Sequence, residues 1–183
     1  RITCTLSGFN PRRVLGTGTA LDTARLRYLL GEYLKVDPRN IHAYVMGEHG
    51  DTEFVPWSQA MVATKSITEL CEESHGSICA QELEQISEEV RTAAYKIIEA
   101  KNATYYGIGM ALTRITKAIL GNEHSVLTVS AMLRGEYGQS GIFTGVPCII
   151  NQNGVQRVLP LSLSEEESEK LEQSCQILKR SYE

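Results

Sequence analysis

His49 stands in the run Gly47-Glu48-His49-Gly50-Asp51. Glycine gives a neighbouring side chain little steric cover, so a ligand can reach the imidazole. A histidine changes charge near neutral pH and can both give and take a proton. Asp22 and Arg25 are three residues apart in a segment of helical pattern, which makes them neighbours on one face. A carboxylate holds an imidazole in one tautomer and favours its charged form. An arginine grips a carboxylate ligand through two parallel hydrogen bonds. Together the three residues suit a site that binds a small carboxylic acid and moves a proton. The same spacing also suits an ordinary intrahelical ion pair, worth under ~0.5 kcal/mol, and spacing alone favours that plainer reading.

Arg27 lies two residues beyond Arg25. At ~100° per residue the two point to roughly opposite sides of a helix, so they do not share one ligand. Arg27 is either a solvated arginine or part of a second anion site, with His42 as its partner from the next segment. Gly16-x-Gly18 resembles the start of a dinucleotide fingerprint, but Leu21 takes the third glycine position and no acidic residue closes a following strand. It reads as a tight turn entering a helix. The five cysteines, Cys4, Cys71, Cys79, Cys148 and Cys175, are odd in number and contain no C-x-x-C. Neither a metal site nor a redox pair is expected, and reduced thiols are the simplest reading.

The elements that must position these groups follow from periodicity. Leu26, Leu29, Leu30, Tyr33 and Leu34 give residues 21–36 one apolar helical face, stopped by Asp37-Pro38. Residues 41–46 read as a strand leading into the His49 loop, and residues 14–16 as a short strand. A long helical stretch covers residues 79–120, broken near Asn102, with Val90, Ala94, Ile97 and Ile98 on its stripe. Strands are expected at 126–132, 142–150 and 155–160. Asn153-Gly154 marks a type I′ hairpin turn between the last two. Ser164 with Glu167 is a capping box that opens a last helix to Lys179. The fold class is α+β, with long helices on an antiparallel sheet. The repeated strand–helix units of a dinucleotide-binding (Rossmann) domain are absent from these residues.

The length of 183 residues allows one domain with a real core, and the net charge of −4 with no basic stripe gives no sign of nucleic-acid binding. No apolar run approaches the ~18 residues of a membrane span.

Leu21-Asp22-Thr23-Ala24-Arg25, Ile41-His42-Ala43-Tyr44 and Gly47-Glu48-His49-Gly50-Asp51-Thr52, in that order, resemble the signature of the bacterial L-lactate dehydrogenases of the lactate/malate dehydrogenase superfamily. Asn102 to Gly107 and Tyr137-Gly138 to Gly145-Val146-Pro147 continue the match over essentially the whole chain. It corresponds to somewhat more than the C-terminal half of a family member. Cys4, where many relatives have tryptophan, and Val55-Pro56, where Pro-Val is usual, depart from the pattern away from the proposed chemistry.

The resemblance implies that residues 1–183 form the substrate-binding and catalytic C-terminal domain, with 1–15 a residual junction to a dinucleotide-binding domain. It makes His49 the proton donor and acceptor, Asp22 its orienting carboxylate and Arg25 the substrate-carboxylate anchor. Thr104 lines the substrate pocket and Ile108 packs near the nicotinamide of NAD, which the N-terminal domain mainly holds. Arg27 and His42 match a pair that binds fructose 1,6-bisphosphate across a subunit interface in allosteric members. The implied setting is a cytoplasmic tetramer in glycolysis and fermentation, interconverting pyruvate and L-lactate, with the isolated chain inactive. Two alternatives remain: a non-catalytic assembly or effector-binding module, and a fragment of a malate or other 2-hydroxy acid dehydrogenase.

Overall fold

The computed structural model describes residues 1–75 and 78–181, with the side chain of His75 outside that description. Its helices are α1 (Ile2–Ser7), α2 (Ala20–Leu34), α3 (Ile67–His75), α4 (Cys79–Lys101), α5 (Tyr106–Leu120) and α6 (Glu165–Arg180). Strands β1 (Ile41–His42), β2 (Met61–Val62) and β3 (Lys65–Ser66) form one small antiparallel sheet. A larger one runs in the order β4 (Ser125–Arg134), β5 (Ser140–Asn151), β6 (Gly154–Val158). This is the expected α+β arrangement.

Two apolar clusters hold the elements. On β4, Val129, Ala131 and Leu133 alternate inward, as a strand half covered by helices requires. They pack with Val146 and Ile150 of β5, Ile115 and Ala118 of α5, and Leu171 and Cys175 of α6. In the second cluster Leu26 and Leu30, one turn apart on α2, meet Leu83, Ile86 and Val90 of α4. Fully burying such side chains contributes ~1.5–3 kcal/mol each.

Asn102, at φ 59°, caps α4 in the left-handed conformation and makes the expected break in the long helical stretch. The capping box at α6 is present in both directions, Ser164 with Glu167. Several expectations need correction. Residues 14–16 form no strand. Gly16 only bridges Ser130, because a single exchanged pair of hydrogen bonds is all that the turn before α2 leaves room for. The strand expected over 41–46 stops at His42, and Met46 instead bridges Phe54 across the His49 loop. The hairpin turn falls on Gln152 and Asn153, with Asn151 paired to Gly154, so the glycine at φ 95° follows the turn and does not form it. Cys71 and Cys79 are joined in a disulfide, with Cα atoms 5.5 Å apart. The absence of a C-x-x-C spacing hid this pairing, which the packing of α3 on α4 creates.

Candidate active site

The site is built where the N-terminus of α2 meets the loop 47–53. Gly18, at φ 54°, makes the turn into α2, and an added Cβ there would lie 2.4 Å from the Ser130 backbone nitrogen. The turn is therefore packed against β4. Threonines then lock the helix to its surroundings. Thr19 Oγ1 donates to the Val45 carbonyl at 2.6 Å, and Thr128 Oγ1 donates to the Thr19 carbonyl at 3.2 Å. Thr23 Oγ1 lies 2.8 Å from Thr128 Oγ1 and accepts from the Val45 amide at 2.9 Å. This buried network fixes Asp22, the residue before Thr23, against the strand segment that leads to His49. Satisfied buried networks of this kind rigidify a site.

The His49 loop is pinned at both ends. Met46 and Phe54 exchange backbone hydrogen bonds of 2.9 and 3.0 Å, and Gly47 does the same with Gly145 of β5 at 2.9 and 2.8 Å. Helix α6 supports the loop from behind: the Glu48 amide donates to Ser174 Oγ at 2.6 Å, and Thr52 Oγ1 lies 3.2 Å from the same hydroxyl.

The structure brings Asp22, Arg25 and His49 together. Asp22 Oδ2 lies 2.7 Å from His49 Nδ1, and Asp22 Oδ1 lies 3.3 Å from Arg25 Nη1. The first contact is an ion pair between the imidazole and the carboxylate. The Asp22 side chain is 3% exposed, while that of His49 is 47% exposed. A buried carboxylate of this kind needs cations, and it has two. The neighbouring Asp22 and Glu53 carboxylates raise the His49 pKa to about 10 against the opposing cost of burial. The imidazole is therefore charged at neutral pH, with Nδ1 turned to Asp22 and Nε2 left for a ligand. His49 also borders a cavity of about 310 Å³ with Gly18, Ser130 and Phe143 among its walls.

Thr104 and Ile108 do not join this cluster by any hydrogen bond or ion pair given by the structure. Thr104 is exposed in the link between α4 and α5, and Ile108 is half-buried in the first turn of α5. That turn nonetheless packs on the site's own helix. An added Cβ on Gly107 would lie 3.1 Å from Leu21 Cδ2, beside Asp22, so glycine permits the close approach.

Arg27 points away from Arg25. Its Nε donates to the Ala43 carbonyl at 3.0 Å and its guanidinium carbon lies 4.9 Å from the Tyr44 ring centroid, a cation–π contact. Burial lowers its pKa, which Tyr44 partly counters. Arg27 thus reaches the residue after His42, which is exposed on β1. It lines a cavity of about 410 Å³ with Arg39, Tyr44 and Arg114, on a wall that His42 does not share.

Sequence reasoning missed Glu53. Its carboxylate Oε2 lies 3.8 Å from His49 Nδ1, and its side chain is 5% exposed. The available signal was an acidic residue heading the apolar run Phe54-Val55-Pro56-Trp57. Single donor atoms of Asp22, His49 and Glu53 lie within 4.8 Å of one another, and the sequence reading assigns no metal here. Nδ1 faces Asp22 at 2.7 Å, so the imidazole itself is a cation that answers these carboxylates.

Residues 19–183 match the family model described as the lactate/malate dehydrogenase, alpha/beta C-terminal domain. L-lactate dehydrogenase 2 of Bacillus anthracis is 53% identical over 173 residues, covering 94% of this chain and 55% of the relative. A lactate dehydrogenase from a Medee basin deep-sea metagenome superposes with a TM-score of 0.93 at 46% identity, covering 98% of this chain and 57% of that one. The minor L-lactate dehydrogenase of Enterococcus mundtii superposes with a TM-score of 0.90 at 48% identity, over 98% and 57%. The chain spans little more than half the length of these relatives. The order of its elements, the pinned histidine loop and this match agree, and the chain belongs to the lactate/malate dehydrogenase family, whose C-terminal domain it carries.

Proposed function

We propose that this chain supplies the substrate-binding and acid–base half of an NAD-dependent L-lactate dehydrogenase that interconverts pyruvate and L-lactate. The observation that carries the proposal is the buried Asp22 carboxylate between the His49 imidazole at 2.7 Å and the Arg25 guanidinium at 3.3 Å. The names of the relatives favour lactate over malate.

NAD, when bound, supplies the hydride acceptor or donor. What this chain offers toward it is apolar: half-buried Ile108, next to exposed Tyr105, Tyr106 and Met110 on and before α5. Such a surface fits the face of a nicotinamide ring, and the phosphates belong to residues outside this chain. Arg25 holds the substrate carboxylate in a planar two-bond grip and thereby sets the distance of the 2-oxo group from His49. Thr104 lines the pocket on the substrate's side chain. In the reducing direction His49 Nε2 gives its proton to the carbonyl oxygen, and in the oxidising direction it takes the hydroxyl proton. Asp22 keeps Nδ1 protonated and stabilises the charge before transfer. Residues 1–15 form the junction to the dinucleotide-binding domain, and the setting is a cytoplasmic homo-tetramer in fermentation.

Arg27 and His42 form a second anion site for fructose 1,6-bisphosphate at a subunit boundary. The arginine-lined cavity beside Tyr44 supports the share of Arg27 in that reading, and the bond from Arg27 to Ala43 brings it next to His42 in sequence, although His42 does not line the cavity. Among the described residues no helix is long and apolar enough to cross a membrane.

Arg25→Lys in the complete enzyme tests the substrate assignment. An ammonium cannot reproduce two parallel bonds, so kcat/KM for pyruvate is expected to fall by roughly 10- to 100-fold, the effect of losing 1.4–3 kcal/mol of charged hydrogen bonding. Unchanged kinetics would remove Arg25 from the site.

A further inference from the structure

Glu53 has no part in the reaction as described so far, yet it is among the most enclosed charged side chains near His49. The Met46–Phe54 bridge folds the loop back on itself, and the Glu53 amide closes a turn on the Gly50 carbonyl at 3.1 Å. This delivers the Glu53 carboxylate to the same edge of the imidazole that Asp22 faces. Nδ1 therefore looks at two buried carboxylates, Oδ2 of Asp22 at 2.7 Å and Oε2 of Glu53 at 3.8 Å.

The surrounding charges are unequal on the two sides. From α2, Arg25 answers Asp22. From α4, Arg91 feels the charge of Glu53 but is itself ion-paired with Glu88. Behind Glu53 lies a polar cleft of about 260 Å³, bordered by Glu84 and Arg91 of α4, Lys170 of α6, and Asp51. Glu53 thus stands between His49 and a cleft that is separate from the cavity His49 itself borders. Two carboxylates so close cannot both be charged cheaply unless a cation lies against them, and His49 is that cation.

We propose that Glu53 is a positioning residue of the acid–base centre, a second carboxylate that shares the Nδ1 edge of His49 with Asp22 and keeps the imidazole charged until substrate removes its proton. The proposal rests on the reading of His49 as the proton donor. Burial lifts the Glu53 carboxyl above the usual range, and the neighbouring His49 pulls it back. A glutamate kept only for packing would leave the charge of His49 unaffected.

The test is an NMR titration of selectively labelled histidine in the complete protein, for the unmodified sequence, Glu53→Gln and Glu53→Asp, beside the pH profile of kcat/KM for pyruvate. Glu53→Gln is expected to lower the His49 midpoint by roughly 1 pH unit, less than loss of the nearer Asp22 charge, because Glu53 stands at 3.8 Å from a half-exposed ring. The alkaline limb of the profile moves with it, and Glu53→Asp restores part of the shift. A His49 midpoint that stays in place in folded Glu53→Gln overturns the proposal. Should that variant fail to fold, the carboxyl carbon of Glu53 in the unmodified protein decides. A second inflection of that carbon at the His49 midpoint supports the shared edge, and a curve without one contradicts it. The imidazole titration needs no turnover, so an unmodified protein that titrates as expected but does not reduce pyruvate would refute the dehydrogenase reading and leave the role of Glu53 standing.

Discussion

Replacing Asp22 with asparagine keeps the side chain's shape and removes its charge 2.7 Å from His49 Nδ1. At that distance the attraction runs from about 1.5 kcal/mol at the dielectric of water to about 6 kcal/mol at an effective value of 20. At ~1.36 kcal/mol per pH unit, this corresponds to roughly 1–4 units on the histidine. The His49 side chain is 47% exposed, and solvent screening favours the lower part of that range. From a starting value of about 10, the His49 midpoint in Asp22→Asn is expected roughly 1–2 units lower. Pyruvate reduction needs the charged imidazole, so the sign is clear: activity is retained on the acid side and lost as pH rises through the His49 midpoint. The assay is kcat/KM for pyruvate, followed by NADH absorbance, from pH 6 to pH 10 in the complete enzyme. The variant is expected to lose roughly 2- to 10-fold more activity at pH 9 than at pH 6, relative to the unmodified enzyme. A further pH-independent loss follows from the imidazole being free to turn. An alkaline limb in the same place for both proteins would refute the charge coupling between Asp22 and His49.

Two other expectations concern the rest of the molecule. Arg27→Gln should abolish activation by fructose 1,6-bisphosphate and the effector-driven shift toward tetramer, while saturated turnover stays largely intact because Arg27 faces Ala43 and Tyr44 and not Asp22; kinetics and sedimentation with and without the effector check this. The disulfide between Cys71 and Cys79 closes a short loop of sequence separation 8, for which the chain-entropy argument gives about 2.5 kcal/mol. Cys71→Ser with Cys79→Ser should lower unfolding stability by about that amount under oxidising conditions and change nothing in reductant, as read by denaturant titration. A reducing compartment would hold the pair as thiols, and because both side chains are buried, alkylation is expected to label them only after denaturation in the reagent.

Much of the site was legible because its chemistry is local. Asp22 and Arg25 are one turn apart, so the helix alone makes them neighbours, and the glycines around His49 announce an accessible loop. The end of α4 at Asn102 and the capping box of α6 were legible for the same reason: each depends on residues within a few positions. The α4 stripe was read too far along the helix, since Leu83, Ile86 and Val90 are buried while Ile98 is 45% exposed. The remainder depends on partners far along the chain. The disulfide exists because α3 turns back onto α4. Residues 14–16 and 43–46 look like strands by composition, yet each has only a single bridging partner, Ser130 for Gly16 and Phe54 for Met46. Glu53 was missed because a glutamate in a polar loop reads as solvated, and only the Met46–Phe54 bridge shows that it is folded inward. The Gly154 turn was placed one residue late because Asn-Gly was read as the turn itself, whereas the chain uses the glycine just after it.

The central claim is that His49 moves the substrate proton while Arg25 anchors the carboxylate. The most direct test is His49→Gln in the complete enzyme, with pyruvate turnover and pyruvate-site occupancy measured on the same preparation. Turnover is expected to fall by roughly 10²–10⁴ while a pyruvate-like carboxylate still binds through Arg25. Turnover within a few-fold of the unmodified enzyme would show that the proton comes from elsewhere and would contradict the account.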